Sequence, residues 1–110
     1  MAEKLLCHLE DLSEGQALGL DPCQEGRDSI FVIRVDGIVR GYRNRCPHLG
    51  VPMEYRKDRF LSADRRQIVC YAHNARFLPE NGLCIYGPCL GQSLEPVPLR
   101  VEQGLLLLVD

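Results

Sequence analysis

Two short cysteine–histidine pairs hold most of the chemistry this chain can do. They are Cys46-Pro47-His48, a C-x-H, and Cys70-Tyr71-Ala72-His73, a C-x-x-H. The chain has only three histidines, and two of them stand within three residues of a cysteine. Thiolate and imidazole are donors that transition metals favour, and four such donors complete a site. Each pair offers one sulfur and one nitrogen, with 21 residues between His48 and Cys70, so two segments could grip one centre from two sides. In a two-iron cluster, thiolates suit the iron that stays ferric. Neutral imidazoles bring less negative charge to the other iron and ease its reduction. A second donor set competes: Cys70, His73, Cys84 and Cys89 would make a tetrahedral zinc site in an interaction module without redox activity. That set leaves Cys46 and His48 without a role.

The elements that must position these donors read as strands. Leu5 to Leu9 forms a first strand, and Glu14 to Arg27, rich in Gly, Asp and Pro, reads as a loop. Ser29 to Val35 is a β-branched run, Asp36-Gly37 a hairpin turn and Ile38 to Tyr42 the return strand. Arg43 to Glu54 reads as a loop. Phe60-Leu61 and Gln67 to Cys70 flank a polar turn at Asp64-Arg65, and Tyr71 to Gly82 is a second loop marked by Pro79 and Asn81-Gly82. Leu83 to Tyr86 is a short strand. Pro96 to Val101 and Leu105 to Val109 close the chain as a hairpin, with Pro96 and Pro98 confining their strand to a sheet edge or delaying its start. No window sustains a helical period. Both pairs thus fall on loops that follow strands, where a rigid frame can present them.

A length of 110 residues is that of one domain with a modest core. The net charge of −2 gives no basic field for nucleic acid or anionic membrane, and the apolar run Leu105 to Val109 is too short to span a bilayer. Met1-Ala2-Glu3-Lys4 lacks the pattern of a signal peptide, so a cytoplasmic location is expected. Reduced thiols or metal ligation then account for the six cysteines better than disulfides do. Outside the paired boxes, Cys7, Cys23, Cys84 and Cys89 read as small buried apolar residues, and His8 as a surface or half-buried strand residue. The basic stretch Arg56, Lys57, Arg59, Arg65 and Arg66 is either a solvated hairpin or a docking face for an acidic redox partner. Leu49, Val51, Pro52, Phe77 and Leu78 either shield the centre or pack the bases of the loops.

Cys46-Pro47-His48-Leu49-Gly50 and Cys70-Tyr71-Ala72-His73 resemble the two cluster-binding boxes of the Rieske [2Fe–2S] family. The likeness spans most of the chain, including the Asp-Gly hairpin before the first box and Gly87-Pro88 after the second. It is nearest to the ferredoxins of ring-hydroxylating dioxygenases and the small subunit of nitrite reductases. The resemblance implies an all-β fold: a Rieske-type antiparallel β-sandwich over residues 1–110, with a cluster-binding subdomain of two loops at about 43–90. It implies one [2Fe–2S] cluster, with Cys46 and Cys70 on one iron and His48 and His73 on the other. The implied role is a single-electron carrier between a reductase and an acceptor enzyme, without a substrate site of its own. Alternatively the chain is a small Rieske subunit of a larger oxidoreductase. Either way its partners are redox proteins, and it acts as a monomer or a subunit of a complex. A complete oxygenase is excluded, because only His8 remains to hold a mononuclear iron.

Three departures from the family pattern matter. The segment between the boxes is longer than usual, which should extend a hairpin near Arg56 to Arg66. Asn74 stands where the family commonly has Gly, and Asn tolerates the left-handed conformation that such a turn uses. Respiratory members carry an extra cysteine in each box, joined as a disulfide, and serine and tyrosine hydroxyls after the second histidine. The matching positions here are Val51, Ala72, Ala75 and Phe77. Hydrogen-bond donors near cluster sulfur stabilise the added electron, so a low potential is expected.

Overall fold

The computed structural model describes residues 3–47, 50–54 and 56–109. Among the described residues, nine strands form three antiparallel three-stranded sheets. β1 (Glu3–His8), β9 (Leu105–Val109) and β8 (Leu99–Glu102) make the first, in the order β1-β9-β8. β2 (Gln16–Leu20), β3 (Ile30–Val35) and β4 (Ile38–Arg43) make the second. β5 (Ile68–Cys70), β6 (Ala75–Phe77) and β7 (Cys84–Tyr86) make the third, and it carries the second box. The described helical content is one 3-10 turn at Leu9–Asp11. No helix among the described residues is long and apolar enough to cross a membrane.

The second sheet lies at the centre because β3 is apolar on both faces. Phe31, Ile33 and Val35 face one way, into a core shared with Ile68, Cys70, Ala75, Phe77 and Cys84 of the third sheet. Val32 faces the other way, into a core with Leu12 and Leu106, to which Leu6, Leu18 and Leu99 add. A strand's side chains alternate between faces, so the near-continuous run Ile30–Val35 is what a strand covered on both sides requires. The sheet bearing the second box is thereby packed onto the most rigid part of the frame.

The β3–β4 hairpin turns as expected: Asp36 (φ 53°) and Gly37 (φ 75°) both adopt the left-handed conformation of a type I′ turn. The Glu14 carboxylate accepts from both turn amides, at 2.6 and 2.8 Å. The closing hairpin forms at the expected place, and β8 both starts after Pro98 and lies at a sheet edge. Two strands contradict the loop assignments. β2 lies inside the segment read as a loop at 14–27, and β6 inside the one read as a loop at 71–82. β2 buries alternate residues Ala17 and Gly19 against β3, and β6 buries Ala75 and Phe77 around exposed-side Arg76. Both follow the two-residue period, yet each is only a few residues long and sits among turn formers. The extra inter-box residues build less of a hairpin than expected. Leu61 pairs Ile68 as a single bridge around the Ser62–Arg65 turn.

Tyr42 ties the central sheet to the loop that leads into β7. Its buried hydroxyl donates to the Pro79 carbonyl at 2.7 Å. Gly82 permits this approach: at φ 73°, a Cβ there would lie 2.8 Å from the Tyr42 ring. Tyr42→Phe leaves the Pro79 carbonyl buried without its donor and is expected to cost about 1–3 kcal/mol, read as a lowered urea midpoint at unchanged slope.

Candidate metal centre

The first box begins at Cys46, after Asn44 and Arg45, which follow the end of β4. Cys46 N–H donates to the Val51 carbonyl at 2.9 Å, and Gly50 N–H donates to the Cys46 carbonyl at 2.7 Å, closing residues 46–51 into a tight loop. Gly50 (φ 71°) supplies the left-handed residue this closure uses. The base of the loop is latched by Asn44, which is itself buried. Its Oδ1 accepts from Met53 N–H at 2.8 Å, and its Nδ2 donates to the Asp28 carbonyl at 2.8 Å and to the Glu54 carboxylate at 2.9 and 3.0 Å. One side chain therefore fixes both ends of the loop and joins it to the chain before β3.

The second box is the turn from β5 to β6. Cys70 pairs with Ala75, and the Cys70 carbonyl accepts from Asn74 N–H at 2.7 Å and from His73 N–H at 3.3 Å. Asn74 has φ 57°, as expected of an Asn standing where Gly is common. The two boxes are joined directly, since Tyr71 N–H donates to the Met53 carbonyl at 3.0 Å. A third segment closes over them. Gly87 (φ 107°) comes so close to β6 that a Cβ there would lie 2.8 Å from Ala75 Cα. Cys89, two residues on, is buried beside Cys46.

The donors converge. Cys46 Sγ, Cys70 Sγ and a His73 ring nitrogen lie within 4.8 Å of one another, and Cys70 Sγ is 4.0 Å from His73 Nδ1. Both sulfurs are fully buried, while the His73 side is partly open. His48 lies outside the described residues, as does Leu49. Burial pushes the Cys70 thiol up, and hydrogen bonding with Cys46 pushes it further, while the N–H groups of His73 and Ala72 pull it down. Burial, then hydrogen bonding with Cys84, pushes Cys89 up to about 12. A buried thiol such as Cys70 becomes a ligand when a metal displaces its proton. Two buried thiols with an imidazole at the open edge suit a half-exposed iron–sulfur cluster.

The zinc set does not assemble. Cys84 and Cys89 lie outside the group formed by Cys46, Cys70 and His73. They pair with each other instead, at 3.2 Å. They are buried, as the apolar reading of spare cysteines expects, and Cys7 is half-buried, but Cys23 is exposed in the turn before β3, where Lys4 Nζ lies 3.7 Å from its sulfur. Phe77 is in the core that contains Cys46 and Cys70, and Val51 packs against it, whereas Pro52 is exposed. Met53 and Leu94 share that core and were not legible as cover for the centre. Asn44 was missed as well, because an Asn after a strand reads only as a turn former.

Residues 2–102 match the Rieske [2Fe-2S] domain. The chain belongs to the Rieske family. Its cofactor is the two-iron cluster of that family, and the chemistry of that cluster is one-electron transfer. No curated protein matches the sequence. Among solved structures, a ferredoxin of Sphingomonas yanoikuyae B1 is 22% identical, with 99% of each chain covered and a TM-score of 0.73. The ferredoxin of carbazole 1,9a-dioxygenase from Nocardioides aromaticivorans IC177 is 20% identical over 98% of this Rieske chain and 97% of its own, with a TM-score of 0.74. A chain from the complex of reduced oxygenase and oxidized ferredoxin in carbazole 1,9a-dioxygenase is 18% identical, covering 96% and 91%, with a TM-score of 0.74. At these identities the likeness is one of fold, and it agrees with the antiparallel all-β architecture expected.

Asn44→Ala removes the acceptor of a buried Met53 amide and the donor to Glu54. It is expected to cost about 1–3 kcal/mol and to make the loaded protein lose its visible absorption sooner under chelator challenge, measured beside the wild type.

Proposed function

We propose that this Rieske chain is a low-potential, ferredoxin-like electron carrier that passes single electrons between a reductase and an acceptor oxidoreductase. The convergence of Cys46, Cys70 and His73 within 4.8 Å carries the reading. In it, Cys46 and Cys70 hold one iron from the buried side, and His48 and His73 hold the other. The cluster-binding part is about 43–90 of a single domain. Each box then supplies one ligand to each iron, and the Met53–Tyr71 hydrogen bond keeps the boxes in step.

An electron carrier needs a rigid cluster pocket close to a face on which partners can dock. Cys46 and Cys70 are excluded from water by Met53, Phe77 and Leu94, so little around them must rearrange when charge changes. Next to them the surface is apolar: Tyr86 and Leu90 are 60% and 66% exposed, and Tyr71 and Ile85 are partly so. An open cleft of about 960 Å³ adjoins Tyr71 and is lined by Arg56, Lys57, Arg59 and Arg65. Lys57 is bound to Asp28 at 2.8 Å and to the Gly19 carbonyl at 2.7 Å, so it anchors the segment to β2 rather than facing a partner. One ferredoxin of similar fold is named for carbazole 1,9a-dioxygenase, and another similar chain comes from a complex of oxygenase and ferredoxin of such a dioxygenase. By analogy the acceptor here is a larger redox enzyme, and the chain has no substrate site of its own.

The low potential follows from what surrounds the sulfurs. Ala75 and Phe77 offer no hydroxyl, so the midpoint is expected near the lower end of the Rieske range, at about −150 mV. A clearly positive midpoint in a spectroelectrochemical titration overturns the low-potential reading. Cys46→Ser and Cys70→Ser are each expected to abolish the visible absorption and the reduced-state EPR signal of the cluster. His73→Cys is expected to keep a cluster with a lower midpoint, because thiolate adds negative charge. Full cluster absorption in Cys46→Ser contradicts the ligand assignment.

A further inference from the structure

Two thiols outside the ligand set face each other across a surface turn. Cys84 is the first residue of β7 and Cys89 lies five residues on, after Gly87-Pro88. Their sulfurs are 3.2 Å apart and both residues are 1% exposed. The backbone holds them there. Cys84 N–H donates to the Gln92 carbonyl at 2.8 Å, Gly91 N–H to the Cys84 carbonyl at 3.2 Å, Leu90 N–H to the Gly87 carbonyl at 3.2 Å, and Gln92 N–H to the Cys89 carbonyl at 2.9 Å. The pair therefore sits in a closed loop rather than meeting by the chance of two flexible chains. A disulfide needs the sulfurs at about 2.05 Å, closer than the 3.2 Å at which the two thiols stand. The side chains of Tyr86, between the two cysteines, and Leu90, directly after the second, are exposed.

We propose that Cys84 and Cys89 form a dithiol that a hydroperoxide converts to a disulfide, and that this conversion alters the surroundings of the cluster. The oxidant is hydrogen peroxide, the smallest hydroperoxide. Cys84 loses its proton and its sulfur attacks a peroxide oxygen, the O–O bond breaks, and the departing hydroxide takes up the proton, leaving a sulfenic acid and a water. The second thiol attacks that sulfenic sulfur, the S–O bond breaks, and the disulfide forms with release of a second water. Two electrons leave the sulfur pair and reduce one peroxide. The change reaches the centre through contact, because Cys89 also adjoins Cys46, and a disulfide removes a thiol hydrogen from beside a ligand sulfur. This last step rests on the proposed ligand set, whereas the crosslink itself does not.

The sequence makes the test clean. Cleavage after Arg76 and Arg100 releases Cys84 and Cys89 in one peptide with no other cysteine, and Cys46 and Cys70 fall in different peptides. The cluster-loaded protein is exposed to hydrogen peroxide, alkylated after unfolding, digested and weighed. The expected peptide is lighter by two hydrogen atoms and takes up no alkylating reagent, and the reduced EPR signal of the crosslinked protein is shifted from that of the dithiol form. In Cys84→Ser the same exposure is expected to leave Cys89 alkylatable. The proposal is overturned by a peptide alkylated at both sulfurs, by a crosslink to the Cys46 or Cys70 peptide, or by an unshifted EPR signal in crosslinked protein. An untreated sample with no Rieske spectrum instead counts against the ligand assignment, so the two failures are read separately.

Discussion

Everything in this protein follows from bringing two buried thiols together from loops that are 24 residues apart in sequence. Cys46 and Cys70 are both closed off from water, and burial, then the neighbouring Cys46, raises the cost of ionising Cys70. Such an arrangement has no reason to hold itself together, since unpaired polar atoms in a dry interior gain nothing from each other's company. Other groups must hold it. The Asn44 side chain latches the first loop, the Tyr71–Met53 backbone bond joins the loops, and the stacked rings of Phe31 and Phe60, 4.2 Å apart, fix the intervening segment on the central sheet.

The central sheet makes this possible because its middle strand is apolar on both sides. One face packs against the β1-β9-β8 sheet. The other is used by the β5-β6-β7 sheet, which carries the second box. A strand with only one apolar face could support one of these neighbours but not both. The division also separates tasks, as the chemistry lies on one side of β3 and the two chain ends are gathered on the other. Lys57 and Asp58 extend the same logic to the inter-box segment. Asp58 accepts from Gly19 N–H at 2.7 Å while Lys57 donates to the Gly19 carbonyl, so the free edge of β2 is covered by paired charges.

The sequence made the main features readable wherever a signal was local. The hairpin at Asp36-Gly37, the late start of β8 after Pro98 and the left-handed Asn74 each depend on one or two residues whose conformational preferences are strong. The cysteine–histidine spacing was legible for the same reason, as each pair lies within four residues. What escaped depended on distant partners. β2 and β6 become strands because β3 and β5 lie beside them, and tertiary pairing overrides a segment that looks like a loop. The Asn44 latch needs Asp28, Met53 and Glu54 around it. Cys84 and Cys89 read either as spare apolar residues or as zinc ligands with Cys70 and His73, and the turn at Gly87 instead pairs them with each other.

The buried surroundings of Cys70 explain why the residues after the second box matter so much. Ala75 and Phe77 follow the turn on the inward side of β6, where any hydroxyl would be held close to the sulfurs and away from water. A donor in such a place stabilises added negative charge far more than one at the surface, because the low dielectric strengthens the interaction. With both positions apolar, the donors aimed at Cys70 are the backbone amides of Ala72 and His73, which the turn itself fixes. Backbone donors come with the fold and persist through any substitution except proline, whereas hydroxyl donors are a choice of side chain. The electronic character of the centre is thus set in two layers: a floor given by the turn geometry, and an adjustment that this sequence leaves almost unused except for the thiol of Cys89 beside Cys46.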